Sequence, residues 1–299
     1  MRPEGEADPF EARRSRLVRL AYRMLGSRAA ADDMVQEAWL RWRQVDPDSV
    51  RDPDAYLSRT VARLCLDEMK SARARRELYV GAWLPEPLVE LPEEPPDPDD
   101  LTLTLMLALE RLSPLERAAF LLHDVFGVPL DEVAATLDRQ APAVRQLASR
   151  ARRHVQAARP RFPVAPEEGE RIARAFFAAT SSGDVDALKG LLAESIVVHS
   201  DGGGKVLAFL NPIVGIQRVL RLYRGVHRKF GDGWARLVRP IRIDGLPGYV
   251  SRERSGILQT TALAIEDGRI TGIYITRNPD KLRHVADLVT KDGGGIAPE

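Results

Sequence analysis

The sequence predicts a multidomain chain: two small all-α modules, the second built on a helix-turn-helix, followed by a separate α+β domain. Three observations carry that prediction. Apolar residues recur every three or four positions from Phe10 to about Met69, and again beyond Leu101. Between those runs, Pro85–Asp100 holds seven acidic residues and six prolines, too little apolar surface to fold alone. After Pro163 β-rich runs take over, and Asp267-Gly268 stands between two of them as a two-residue hairpin signal. A chain of 299 residues can bury two or three modest cores.

Phe10, Arg13, Leu17, Ala21 and Met24 step along one helix face, which Gly26-Ser27 interrupts. The next helix turns Val35, Ala38, Trp39 and Trp42 inward and Asp33, Gln36 and Glu37 outward. Asp46–Asp54, with two prolines, reads as a loop. A third helix points Leu57, Val61, Leu64 and Cys65 inward and leaves through the basic Lys70–Arg76. In the second module Ser113-Pro114-Leu115-Glu116 is a capping-box start, with Leu115, Ala118, Ala119 and Leu122 inward and Phe126-Gly127 as the stop. A short helix (Leu130, Val133, Ala134 and Leu137 inward), a turn at Asp138–Ala141 and a helix opened by Pro142 complete it. Farther on, a helix buries Ile172, Ala175, Phe176 and Ala179. Ser195–Asp201, Lys205–Leu210, Trp234–Ile243 and Thr261–Thr276 read as strand segments, and Gly215–Tyr223 as a helix. The expected boundaries are 1–80, a tether at 81–100, a helix-turn-helix module at 101–160, an α+β domain at 166–290 and a tail at 291–299.

A net charge of +1 conceals strong segregation of charge. Cys65 is the single cysteine, so no intrachain disulfide and no cysteine zinc cluster can form. No metal site, no cofactor and no membrane span are expected, and a cytoplasmic location is the default reading.

Arg139–Arg161 holds seven arginines and no acidic residue. Val144, Leu147, Ala148, Ala151 and Val155 form its buried stripe, which leaves Arg145, Gln146, Ser149, Arg152 and Arg153 on the open face. Arg and Gln can read base edges in a major groove. Arg150, Arg153, Arg159 and Arg161 are placed to bind phosphates, which position the protein without specifying sequence. A merely solvated helix usually interleaves the signs of its charges, so DNA is the expected partner. RNA stays open, although no aromatic stacking platform accompanies the arginines.

Asp32–Trp42, Asp52–Arg75 and Leu109–Arg153 resemble, in order and spacing, the two helical domains of the extracytoplasmic-function (ECF) RNA polymerase sigma factors. WLPEP (Trp83, Leu84, Pro85, Glu86, Pro87), DGGGK (Asp201, Gly202, Gly203, Gly204, Lys205) and NPDKL (Asn278, Pro279, Asp280, Lys281, Leu282) resemble the signature motifs of one subgroup. That subgroup carries a fused C-terminal SnoaL-like, cone-shaped domain. The resemblance implies binding of RNA polymerase core through the β′ clamp helices and the β flap, with Asp33, Gln36 and Glu37 on the clamp. It implies that Gln44–Asp54, Arg59 and Arg63 handle the −10 element and that the Arg145–Arg153 face reads the −35 element. The acidic tether would run through the polymerase. The three motifs would be regulatory contacts that replace a separate anti-sigma factor.

Two other readings stay open at this point. One is a ligand-sensing regulator acting without polymerase core. The other is an enzyme with a DNA-binding appendage, for which His199 near Asp201 is the sole candidate. DGGGK does not match the phosphate-binding P-loop, because Val206 follows Lys205. A small ligand in the C-terminal pocket is the remaining partner expectation, and no catalytic residue is assigned.

Overall fold

The structure, a computed structural model, describes residues 10–46, 49–77, 79–90, 102–156 and 164–291. It divides into two compact units. The first comprises Met1–Glu77 with Leu105–Arg159, and the second Leu78–Thr104 with Pro160–Glu299.

The first unit is helical. Helix α1 (Arg14–Leu25) ends at Gly26, whose left-handed φ of 67° supplies the stop, and Ser27 caps α2 (Arg28–Trp42). Helix α3 spans Pro53–Glu77. Phe10, Leu17, Met24, Val35, Trp42, Leu57, Val61 and Cys65 are buried together, with Trp42 against Tyr56 at 5.7 Å. Burial pushes the Cys65 thiol up, so it stays a neutral packing group.

The chain re-enters this unit at Leu105, within α4 (Leu103–Glu110), followed by α5 (Pro114–Phe120), a π-helical turn at Leu121–Val125, α6 (Leu130–Leu137) and α7 (Ala141–Gln156). The capping box forms as its residues dictate: the Glu116 amide donates to Ser113 Oγ at 3.3 Å, and the Ser113 amide donates to Glu116 Oε2 at 3.0 Å. Asp138, at φ 53°, closes α6 so that α7 can start three residues later.

The second unit is a seven-stranded sheet backed by helices. Its strands are β1 (Val89–Glu90), β2 (Leu192–Asp201), β3 (Ile213–Val214), β4 (Ala235–Ile243), β5 (Leu246–Glu253), β6 (Leu258–Glu266) and β7 (Arg269–Thr276), in the order β1-β4-β5-β6-β7-β2-β3. Only β2–β7 is parallel among these pairs. Helices α8 (Pro166–Ser182), α9 (Val185–Leu191) and α10 (Ile216–Phe230) bury Ile172, Phe176, Leu188, Val219 and Tyr223 with Ile196, Tyr249, Leu263 and Ile273 of the sheet. Helix α11 (Arg283–Lys291) follows β7.

Three expectations are corrected. Lys205–Leu210 is not a strand: the amides of Lys205 and Val206 both turn back onto the Gly202 carbonyl, so the backbone closes on itself instead of on a neighbour. Leu246–Glu253 is a central strand that was not expected. The tether is extended, but residues 79–90, which take in the last two residues expected of the first module, belong to the sheet unit: Val89 and Glu90 pair antiparallel with Ile243 and Arg242. The rest of the acidic stretch and the tail at 291–299 lie outside the described residues, apart from Lys291.

Candidate functional site

Helix α7 buries Val144, Leu147, Ala148, Ala151 and Val155 and presents Arg145, Gln146, Ser149, Arg150 and Arg153 to solvent. Arg150 pairs with Glu116 at 2.9 Å, and Arg152, half-buried, pairs with Asp124 at 2.5 Å. The open groups near the start of the helix are therefore Arg145 and Gln146. Arg159 and Arg161 lie outside the described residues.

On α2, Asp33 and Gln36 are exposed, while Glu37 is held by Arg41 one turn on, at 3.0 Å. Trp39, expected to be inward, is half-buried beneath the Arg43 guanidinium at 5.0 Å. A cleft of about 530 Å³ is lined by Val45, Ser49, Arg51, Asp52, Tyr56 and Arg59 of the first module together with Glu132 of α6. The loop and Arg59, one of the two arginines assigned to the −10 element, thus share one cavity, and an acidic side chain of the second module lines it as well. Arg63 donates to the carbonyls of Ala135 at 2.9 Å and Thr136 at 3.2 Å. Those carbonyls belong to the last turn of α6, the negative end of its dipole.

Other clasps between the two helical modules were not legible beforehand. Arg117, 1% exposed, donates to the Arg23 carbonyl at 2.9 Å and pairs with Glu110 at 2.5 Å. Arg16 and Arg23 both lie over the Phe126 ring, at 5.6 and 5.5 Å.

In the second unit the three motifs meet around one carboxylate. Asp201, 1% exposed, accepts from Tyr79 Oη at 2.5 Å and Gly203 N at 3.0 Å on one oxygen. The other oxygen accepts from Leu84 N at 3.0 Å and Lys281 Nζ at 2.8 Å. Lys281 also donates to the Leu84 carbonyl at 2.5 Å and sits over the rings of Trp83, at 4.3 Å, and Tyr79, at 5.0 Å. Asn278 donates to Tyr79 Oη at 2.9 Å, and Lys205 pairs with Asp280 at 2.5 Å. DGGGK and NPDKL therefore exchange two ion pairs, each motif giving one acid and one base. Leu84 and Leu282 are buried beside them. Burial and the Asp201 carboxylate push the Tyr79 phenol up, and Lys205 holds Asp280 below the usual carboxylate range.

The glycines have a local reason. A Cβ on Gly202 would stand 2.1 Å from the Val206 carbonyl oxygen, and one on Gly203 2.2 Å from Asn278 Nδ2. Gly204, at φ 71°, lies against Val80 of the tether. Downstream, His284 bonds the Pro87 carbonyl at 2.7 Å, and Glu90 pairs with Arg242 at 3.0 Å. Tyr79, Glu90, Arg242 and His284 had no motif to announce them.

His199 stacks on its cross-strand partner Tyr274 at 5.4 Å, and the four donors on Asp201 fill its oxygens. The pair is not arranged as an acid–base couple. No helix among the described residues is long and apolar enough to cross a membrane, and no cluster of metal-ligating side chains occurs among them.

Residues 10–75 match the Sigma-70 region 2 family and residues 102–155 the Sigma-70, region 4 family. Two helical modules with those signatures, followed along the chain by an α+β sheet domain, define a sigma factor with a fused C-terminal domain. The chain is 38% identical to the ECF RNA polymerase sigma factor SigJ of Mycobacterium tuberculosis, over 92% of this chain and 93% of that protein. It is 36% identical to the probable ECF RNA polymerase sigma factor SigI of the same species, over 91% and 93%. The crystal structure of SigJ superposes with a TM-score of 0.75 at 33% identity, covering 93% of this chain and 98% of that one. The chain belongs to the ECF RNA polymerase sigma factors. Members of that family bind RNA polymerase core and direct it to promoters, a role that is not enzymatic.

Proposed function

We propose that the C-terminal domain regulates this sigma factor by holding its tether, in place of a separate anti-sigma factor. One observation carries the reading: residues 79–90, part of the segment that joins the two helical modules along the chain, are fixed to the C-terminal sheet by the Asp201 hub and the β1–β4 pairing. A tether that must run through the polymerase has to leave that sheet. The helical unit supports the same reading, because Glu132 lines the cleft assigned to the −10 element and Arg63 is engaged by α6. In this reading the tether-bound state is the closed one, and polymerase core selects an open one.

In the open state, Asp33, Gln36 and Glu37 meet the β′ clamp helices, the second module meets the β flap, and the protein acts in the cytoplasm with its polymerase. Gln44–Asp54, Arg59 and Arg63 engage the −10 element. Arg145, Gln146, Ser149 and Arg153 read the −35 element, with Arg150 and Arg152 joining once they exchange Glu116 and Asp124 for phosphates. A small ligand in the C-terminal domain would be a further input, and the tether mechanism does not require one.

Run-off transcription with purified core tests this function. Gln146→Ala is expected to lose about 1–3 kcal/mol of discrimination at one −35 base pair while binding core normally. Core that gains no start-site selectivity from the wild-type chain would overturn the assignment.

A further inference from the structure

The first unit carries the expected basic helix, but the least compensated one lies in the second unit. Between Asp201 and Asp232, thirty residues contain no acidic side chain and six Lys or Arg. Helix α10 turns Ile216, Val219, Leu220 and Tyr223 into the sheet core. Arg218, Arg221, Arg224, Arg228 and Lys229 are exposed on the other side. At 3.6 residues per turn they fall within an arc of roughly 140°, along about 15 Å of helix.

Other surface helices of this chain carry their own counter-ions. Arg41 pairs with Glu37, Lys70 with Asp67, Arg171 with Glu168 and Arg174 with Glu170, each within one turn. Even on α7, Arg150 and Arg152 are paired. No carboxylate of the described residues pairs with Arg218, Arg221, Arg224 or Arg228; the acid at the end of the helix, Asp232, faces His227 at 3.5 Å. Arg228 and Lys229 gain from the negative C-terminal end of the helix dipole. Arg218 has no such excuse, since it sits in the first turn, where the dipole opposes a cation.

We propose that the exposed face of α10 binds the phosphate backbone of duplex DNA, giving this sigma factor a sequence-independent contact in its C-terminal domain. The inference rests on the family's promoter binding. Four of the five cations are arginines, whose forked donors grip phosphate bidentately. A 15 Å row runs beside about four phosphates of one strand at 3.4 Å of rise each. An anionic membrane fits less well: a surface helix needs an apolar face to insert, and that of α10 is spent on its own core.

The test is the salt dependence of DNA binding by the full chain, free on a duplex of arbitrary sequence and with core polymerase on a promoter. Wild type is compared with Arg→Gln at 218, 221, 224 and 228 together, and with Arg→Lys at the same four positions. The Gln variant is expected to lower the log–log salt slope by about 2–4 and to weaken binding at least tenfold at low salt. The Lys variant is expected to stay within a few-fold of wild type. An unchanged slope in the Gln variant overturns the proposal, as does equal loss in both variants. So does α10-dependent binding confined to phosphatidylserine vesicles or to a peptide of residues 91–100. Failure of the wild-type chain to recruit core to the promoter would count against the family function, a separate outcome.

Discussion

The two units each contain a clasp, and the clasps are built from different chemistry. In the helical unit, Arg63 reaches two neutral carbonyls from an exposed position. Such a contact contributes roughly 0.5–1.5 kcal/mol and releases its partners to water without leaving a buried charge. In the sheet unit, buried Asp201 and half-buried Lys281 are ion-paired and satisfied by neighbours on every side, so removing one partner strands the other. The first clasp is suited to opening when polymerase arrives. The second is suited to holding, and it yields only when something competes for the whole tether.

That contrast sets an order of expected effects. Asp201→Ala leaves the half-buried Lys281 without its carboxylate and three further donors, the Gly203 and Leu84 amides and the Tyr79 phenol, without an acceptor. It should cost the sheet unit about 3–5 kcal/mol, measured by denaturant melts, and expose residues 79–90 to protease. Gly203→Ala forces a side chain into a left-handed backbone and against Asn278, which should cost at least about 1–2 kcal/mol while leaving the helical unit's melt unchanged. Arg63→Ala should shift the helical unit by only about 1 kcal/mol, yet raise hydrogen exchange in α6. An Arg63→Ala penalty as large as that of Asp201→Ala would erase the distinction between the two clasps.

The helices were legible because their signals are local. Ser113 and Glu116 cap as their spacing dictates, Gly26 stops α1, and the α7 stripe is the buried one. The hairpin at Asp267-Gly268 formed with φ of 50° and 72°. Strand β5 had an equal signal in Asp244-Gly245, also left-handed at 46° and 70°, but Pro247 and Gly248 inside the strand masked it. Gly248 is there because a Cβ would stand 2.2 Å from the Thr261 carbonyl oxygen. What stayed hidden was long-range. Nothing near Tyr79 says that its hydroxyl will meet Asp201, 122 positions later. Arg117 sits among core residues and looks solvated until Arg23 and Glu110 arrive. The three glycines after Asp201 exceeded the needs of a turn, a visible excess whose cause lies in Val206, Asn278 and Val80.

The tether clamp is tested most directly by run-off transcription with purified core and the full-length chain, wild type against Asp201→Asn/Lys281→Met, in samples whose helical unit melts as wild type. Replacing both charges together leaves no stranded ion. Freeing the tether should raise promoter-specific transcript several-fold, within the 5–150-fold range of a 1–3 kcal/mol coupling. Equal or lower transcript from the freed tether would contradict a holding role for the C-terminal sheet.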